Sequence, residues 1–349
     1  MFNPSILGPS RFKPFVARTL LIGLAVAGLA AGAPEKARAQ AAAAIEMVMT
    51  DEIATSHWTA KMMNEYAALI EERSQGRIKP KVFHSGTLYK DKDAVAALGS
   101  GAVHMVWPVS VQLESIAPQY GVVNLPFAVT DEAMSKPEVA KDVSALLSGL
   151  VADKGIRVMG LMRTADLIFL FKDKEINSVG DLKGSKVRLT GGRVLQSLMR
   201  EFGASPVSMP ASEMAAALMQ GAIDGIYTSA GGWEMVGTNA AKVASLVPGM
   251  SLLTYSVLVD DKWMKGLPAD LRQVVETTTN EIVAKQWQRA IDSDKKTMDQ
   301  MIAQGGRLTV APEAEQAKFR DIATKVNQEY IRRYPEIWKQ YQSIVGNKS

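Results

Sequence analysis

The chain has 349 residues, with 40 lysines and arginines against 36 acidic residues, three histidines and no cysteine. The missing cysteine excludes disulfides, thiol catalysis and thiolate-held metal together, and His57, His84 and His104 show no zinc-ligand spacing. There is no Gly-x-Ser-x-Gly elbow and no phosphate loop ending in Gly-Lys-Ser/Thr, so no catalytic signature argues for an enzyme.

At the N-terminus, Arg11, Lys13 and Arg18 precede an apolar run from Thr19 to Gly32, and Ala37-Arg38-Ala39 fits the small-x-small cleavage rule. The run is too short for a comfortable membrane span, which sets a removable signal over residues 1–39 against a retained anchor. Paired arginines are absent, which points to Sec export, and no cysteine near the cleavage site is available for a lipid anchor. The expectation is a soluble periplasmic protein starting near Gln40. Residues 1–39 hold five basic residues and one acidic residue, so their removal takes 40 and 36 to 35 of each sign. The basic balance belongs to the signal, and no clustered positive charge remains to suggest a nucleic-acid partner.

Downstream, strands and helices alternate. Ile45 to Met49 reads as a short apolar strand. His57 to Arg73 reads as a helix whose stripe is Trp58, Met62, Tyr66, Leu69 and Ile70. Ile78 to Phe83 is a strand, Asp91 to Gly99 a helix and Ala102 to Trp107 a strand. This alternation predicts a βαβ-built, mixed α/β fold. Leu98-Gly99-Ser100-Gly101-Ala102-Val103-His104-Met105 echoes Leu218-Met219-Gln220-Gly221-Ala222-Ile223-Asp224-Gly225. In each, a helix ends at a glycine suited to the left-handed conformation and a buried strand follows. The echo suggests two related lobes, with chance likeness of two turns as the alternative. Pro268 can open a helix that runs with few breakers to Gly305-Gly306, with Ile282, Val283, Trp287, Ile291 and Met298 on its apolar face. A terminal helix follows from Glu313 to about Gly346, interrupted at Pro335.

The most informative stretch reads Asp181-Leu182-Lys183-Gly184-Ser185-Lys186-Val187-Arg188-Leu189, then Gly203-Ala204-Ser205-Pro206-Val207 and Glu213. It ends Ala217-Leu218-Met219-Gln220-Gly221-Ala222-Ile223-Asp224-Gly225-Ile226-Tyr227. A short strand carries Arg188 to its C-terminal tip, and such tips open onto the ligand crevice of α/β sheets. There an arginine is a fixed fork suited to a carboxylate. Together with Glu71 to Ile78, Leu98 to Met105, Leu125-Pro126-Phe127 and Ile176-Asn177-Ser178, this block resembles the solute-binding proteins of TRAP (tripartite ATP-independent periplasmic) transporters, of the DctP type. The resemblance covers nearly the whole mature chain. It implies a two-lobed periplasmic-binding-protein fold with mixed sheets and a long helix spanning both lobes. Lobe I would comprise residues 40–165 and about 254–293. Lobe II and the C-terminal helices would comprise about 166–253 and 294–349. The chain would cross between lobes near residues 165, 253 and 293.

It also implies a periplasmic receptor that clamps the carboxylate of a small organic acid on Arg188 and delivers it to TRAP membrane subunits, with no cofactor or metal. Several positions depart from the better-known relatives: Thr228 replaces an asparagine, Ile168 a second basic residue, Ala211 an aromatic ring, and Pro108 and Val109 polar groups. Arg163 stands near enough to substitute for the lost cation. Trp107, Tyr227 and Trp233 are the ring candidates, each with core packing as its alternative; His57 and Trp58 form a less favoured wall. One secure cation predicts a monocarboxylate with an apolar or aromatic body against Trp107 and Tyr227, and a dicarboxylate if Arg163 enters the cleft. The rival functions are a receptor of another importer class, and an exported lyase or hydrolase using Glu213 or Asp224. Neither of those acids has a positioned base or nucleophile beside it in the sequence pattern.

Overall fold

The computed structural model describes residues 43–346; the expected export signal and its cleavage site lie outside the described residues. Among these residues the strands form two sheets. The first runs β2 (Ile78–Phe83), β1 (Ile45–Thr50), β3 (Met105–Val106), β10 (Leu252–Asp260) and β4 (Ile156–Asp166). The second runs β7 (Ser205–Ser208), β6 (Lys186–Leu189), β8 (Gly225–Thr228), β5 (Ile168–Phe171), β9 (Val243–Leu246) and β11 (Arg307–Val310). Both sheets are mixed.

Taken in those orders, the two sheets repeat one pattern. β1 is parallel to β2 and β3, as β6 is to β7 and β8. β10 is antiparallel to β3, as β5 is to β8, and β4 and β9 follow antiparallel in turn. The sequence echo leads into β3 and β8, which hold the same place in each sheet. Gly99 and Gly221 both take positive φ, 83° and 72°. The expected strand from Ala102 shrinks to Met105–Val106. His104 is the local reason, because its Nδ1 accepts the Val48 N–H at 2.8 Å, a bond that a strand carbonyl would otherwise take.

β10 is buried at all nine positions, as a central strand covered on both faces should be. The chain passes from the first sheet to the second in one step, since Asp166 ends β4 and Ile168 begins β5. Helix α1 (Trp58–Arg73) buries Met62, Met63, Tyr66, Ala67 and Ile70, and His57 caps it by accepting the Thr59 N–H on Nδ1 at 3.2 Å. The short helices α2 (Asp91–Ala97), α3 (Asp131–Met134) and α4 (Pro137–Val151) follow on the first sheet's half of the chain. α5 (Arg193–Glu201), α6 (Met214–Met219) and α7 (Ala230–Val236) connect the strands of the second sheet, and α8 (Asp261–Gly266) follows β10.

α9 (Ala269–Ala303) is 35 residues long, about 52 Å at the helical rise. Pro268 stands at its N-cap rather than inside its first turn. The helix packs against α1 and β4 and also against α7 and β11, so it touches elements of both sheets. α10 (Glu313–Arg333) lies on α5, and α11 (Pro335–Gly346) lies on α4, where Tyr341 donates to the Ala128 carbonyl at 2.9 Å. No helix among the described residues is long and apolar enough to cross a membrane.

Candidate functional site

Arg188 sits on β6, an inner strand flanked by β7 and β8, so its side chain has little access to water: it is 2% exposed. Nε and Nη2 both donate to the Met209 carbonyl, at 3.0 and 2.7 Å, which fixes the plane of the guanidinium. No ion pair reaches it among the described residues. Burial pulls its pKa down to about 10, with the charge of Glu52 acting the other way, so it remains a cation at neutral pH. A buried charge without a counter-ion is costly. Met209 lines a cleft of about 500 Å³ together with Glu52, Gln112, Thr190, Ser208 and Pro210.

The cleft is closed by contacts between the two halves. Glu52, just past β1, accepts the Ala211 N–H on Oε1 at 2.6 Å and the Asp91 N–H on Oε2 at 3.0 Å. Glu114 accepts the N–H groups of Arg193 and Val194, at 2.6 and 3.2 Å, and so caps α5 from the other half of the molecule. Its remaining oxygen takes Asn124 Nδ2 at 2.7 Å, and burial pushes its pKa up. Gly192 makes that approach possible. It has φ 86°, and a Cβ there would stand 2.9 Å from Val111 and 3.1 Å from Glu114. Gln112 Nε2 adds a bond to the Thr190 carbonyl at 3.0 Å.

His57 is the second close contact: a Cβ on Gly231 of α7 would meet its Nε2 at 2.0 Å. Because Nδ1 accepts the capping bond, Nε2 carries the proton. Burial lowers the pKa to about 4, so the ring stays neutral. Asp91, at the start of α2, is fully enclosed. Burial, with Glu52 nearby, holds its proton well above the usual carboxylate range.

The expected ring contacts meet packed rings. Trp107 is buried edge-on against Tyr66, with centroids 5.6 Å apart, and its indole N–H has no partner. Tyr227 is stacked on Phe169 at 4.5 Å. Trp233 lies in the hydrophobic core around Ile226 and Met301, and its N–H donates to the Ala241 carbonyl at 2.7 Å. Trp107, Tyr227 and Trp233 are not among the residues that line the cleft of about 500 Å³, and the buried Tyr227 hydroxyl, like the Trp107 N–H, has no hydrogen-bond partner among the described residues. Thr228 is buried against Gly232. Ala211 does reach the site, through its backbone N–H on Glu52.

Arg163 is committed elsewhere. It donates to Asp131 at 2.7 and 3.2 Å, to Asp166 at 3.0 Å and to Asp294 at 2.5 Å, beside the β4–β5 passage. Glu213 is in an exposed pair with Lys90, and Asp224 accepts the Lys186 N–H at 2.7 Å, so both acids brace structure. The sequence reasoning missed Glu52, Glu114 and Asp91. The signal for Glu52 was available, because Asp51-Glu52 follows the tip of β1 as Arg188 occupies the tip of β6, and strand tips face the crevice.

The family model described as bacterial extracellular solute-binding protein, family 7 (DctP) matches residues 49–333. The C4-dicarboxylate-binding periplasmic protein DctP of Rhodobacter capsulatus is 28% identical over 275 residues, covering 77% of this chain and 81% of that protein. Among solved structures, the sugar acid binding protein DctPAm of Advenella mimigardefordensis, in complex with galactonate, superposes with a TM-score of 0.82. Its identity is 18%, over 88% of this chain and 99% of that one. A TRAP periplasmic solute binding protein of Sulfurospirillum deleyianum with bound succinate gives a TM-score of 0.79 at 20% identity, over 87% and 100%. These likenesses establish the two-lobed periplasmic-binding-protein fold, and the proteins concerned are binding proteins rather than enzymes.

Proposed function

The chain belongs to family 7 of the bacterial extracellular solute-binding proteins, the TRAP receptors, and from that premise we propose that it captures a small organic acid on Arg188 in the periplasm. The two lobes close on the acid, and the closed form hands it to TRAP membrane subunits. Residues 1–39 direct export and are removed in the process, which leaves a mature chain starting near Gln40.

One observation carries the reading: a buried guanidinium, held in one plane by Met209, with no ion pair among the described residues. A ligand carboxylate supplies the missing charge, and closure strengthens the pair by excluding water. Relatives named for C4-dicarboxylates and solved with galactonate or succinate support the same chemistry. Calorimetry with a panel of organic acids, including succinate and galactonate, tests it. Affinity for the acid should fall in Arg188→Ala by roughly 30-fold to several thousandfold, as expected when one partner of a desolvated charge pair is removed, about 2–5 kcal/mol. Arg188→Lys should recover part of it, because the charge returns without the planar fork. Near-normal affinity in Arg188→Ala refutes the reading.

A further inference from the structure

Two separate segments aim Glu114 at the opposite half of the molecule. The 3₁₀ segment Ser110–Ser115 carries Glu114 itself, together with Val111 and Gln112, which meet Gly192 and Thr190 across the cleft. The 3₁₀ segment Pro118–Asn124 carries Asn124, whose amide donates to Glu114 Oε1 at 2.7 Å. Held in this way, Glu114 Oε2 accepts the Arg193 and Val194 N–H groups that open α5.

Both segments are tied to one side chain on β10. Ser256 Oγ stands 2.9 Å from Ser110 Oγ and 2.7 Å from the Tyr120 hydroxyl, and Thr254 Oγ1 donates to Ser110 Oγ at 2.7 Å. The Ser256 N–H also donates to the Pro108 carbonyl at 3.0 Å, just ahead of the first segment. Ser110, Tyr120, Thr254 and Ser256 are all 0% exposed. Burial pushes the Tyr120 pKa up, so its hydroxyl keeps its proton. The residues of β10 that flank this stretch, Leu252, Leu253, Val257 and Leu258, are apolar.

Packing alone does not call for hydroxyls here, because apolar groups of the same shape in place of both partners of a buried hydrogen bond can be neutral or stabilising. What a hydrogen bond adds over apolar contact is direction: it fixes a distance and an angle. Ser256 is not among the residues that line the cleft, so it acts through the segments it holds. We infer that Ser256 is a positioning residue for closure of the cleft. Its hydroxyl sets the Glu114 segment against the Asn124 segment so that the Glu114 carboxylate reaches α5. The inference deepens the reading given above, in which the two halves close on an acid, and rests on it.

Residue-resolved amide hydrogen exchange in the unliganded protein tests it. The first N–H groups of a helix have no intrahelical partner, so protection of Arg193 and Val194 reports the Glu114 bonds, while the Leu198 N–H, inside α5, reports the helix. Ser256→Ala should speed exchange at Arg193 and Val194 relative to Leu198 by about tenfold, and Tyr120→Phe, which removes one arm of the network, by about threefold. Glu114→Ala should raise the same ratio at least as far. Val257→Ala truncates the adjacent buried residue of β10 without touching a hydroxyl, so it weakens the strand and should leave the ratio as in wild type. An unchanged ratio in Ser256→Ala or in Glu114→Ala overturns the inference. So does an equal rise in Val257→Ala, which would make any weakening of β10 sufficient. If Ser256→Ala does not fold, Tyr120→Phe decides by the same ratio. No ligand enters the measurement, so its failure leaves the Arg188 reading intact, and acid binding that is indifferent to Arg188→Ala removes that reading without altering the exchange result.

Discussion

Two buried arginines in this molecule have opposite surroundings. Arg163, at the end of β4 where the chain passes between sheets, is surrounded by Asp131, Asp166 and Asp294. Its backbone is held as well, by Gln286 on both N–H and carbonyl. Arg188, at the tip of β6, has one backbone carbonyl and no ion pair among the described residues. The first arrangement is complete and needs nothing from outside. The second is incomplete, and that incompleteness distinguishes a binding arginine from a structural one. Burial alone does not separate them, since both are almost fully enclosed.

Removing Arg163 should have the largest effect on stability. Arg163→Ala leaves three carboxylates facing one another beside the passage between sheets. Asp131 and Asp166 are 39% and 41% exposed and only Asp294 is largely buried, so the loss should be about 2–4 kcal/mol, read as a lower urea midpoint in the unliganded protein. A loss below 1 kcal/mol would show that Arg163 is dispensable to the fold, and would erase the contrast.

Glu114→Ala removes a cap from α5 that comes from the opposite half of the molecule. Losing a cap costs about 0.5–2 kcal/mol. A role in lobe closure predicts that the loss appears as ligand affinity reduced by about twofold to thirtyfold. Unchanged affinity with a lower melting temperature would place Glu114 in the fold instead of the closure.

The Arg163 network should also set a pH dependence. Burial raises the Asp294 pKa to about 7 despite the Arg163 charge, and raises that of Asp166 in the same direction. The unfolded chain releases the Asp294 proton near the ordinary value of 3.8. Between those pH values the folded state holds more protons, so stability falls as pH rises from about 4 to 7. Asp294→Asn should flatten that fall by about 2–3 kcal/mol between pH 5 and 8. An unaltered pH profile in urea titrations counts against this assignment.

The smallest effect is expected at Arg188 itself. Arg188→Met keeps bulk and removes an uncompensated buried charge, so the unliganded protein should unfold within about 1 kcal/mol of wild type, or at higher urea. Destabilisation comparable to that of Arg163→Ala would mean that Arg188 is structural too.

Much of this molecule was legible in the residues. The alternation of patterns announced a mixed α/β fold, and the stripe of Met62, Tyr66 and Ile70 placed α1 against a core. The Leu98 and Leu218 segments do enter equivalent strands. Arg188 could be singled out because its motif is local: a strand tip, a glycine turn and a helix lie within a few dozen residues. The boundaries of β3 were not legible, because a histidine side chain substitutes for a ladder bond.

The sequence by itself determined which segments form strands and helices and which strand tips carry charge, since period and turn chemistry act over short spans. Only the tertiary structure decided what each charge meets. Glu52 reaches Ala211 across 159 positions, and Arg163 reaches Asp294 across 131. Whether Trp107 and Tyr227 faced the cleft or the core was likewise undecided until the sheets were folded, because an aromatic ring satisfies the same local pattern in either place. Ionic and packing partners are set by distance in space, and a one-dimensional pattern does not record that distance.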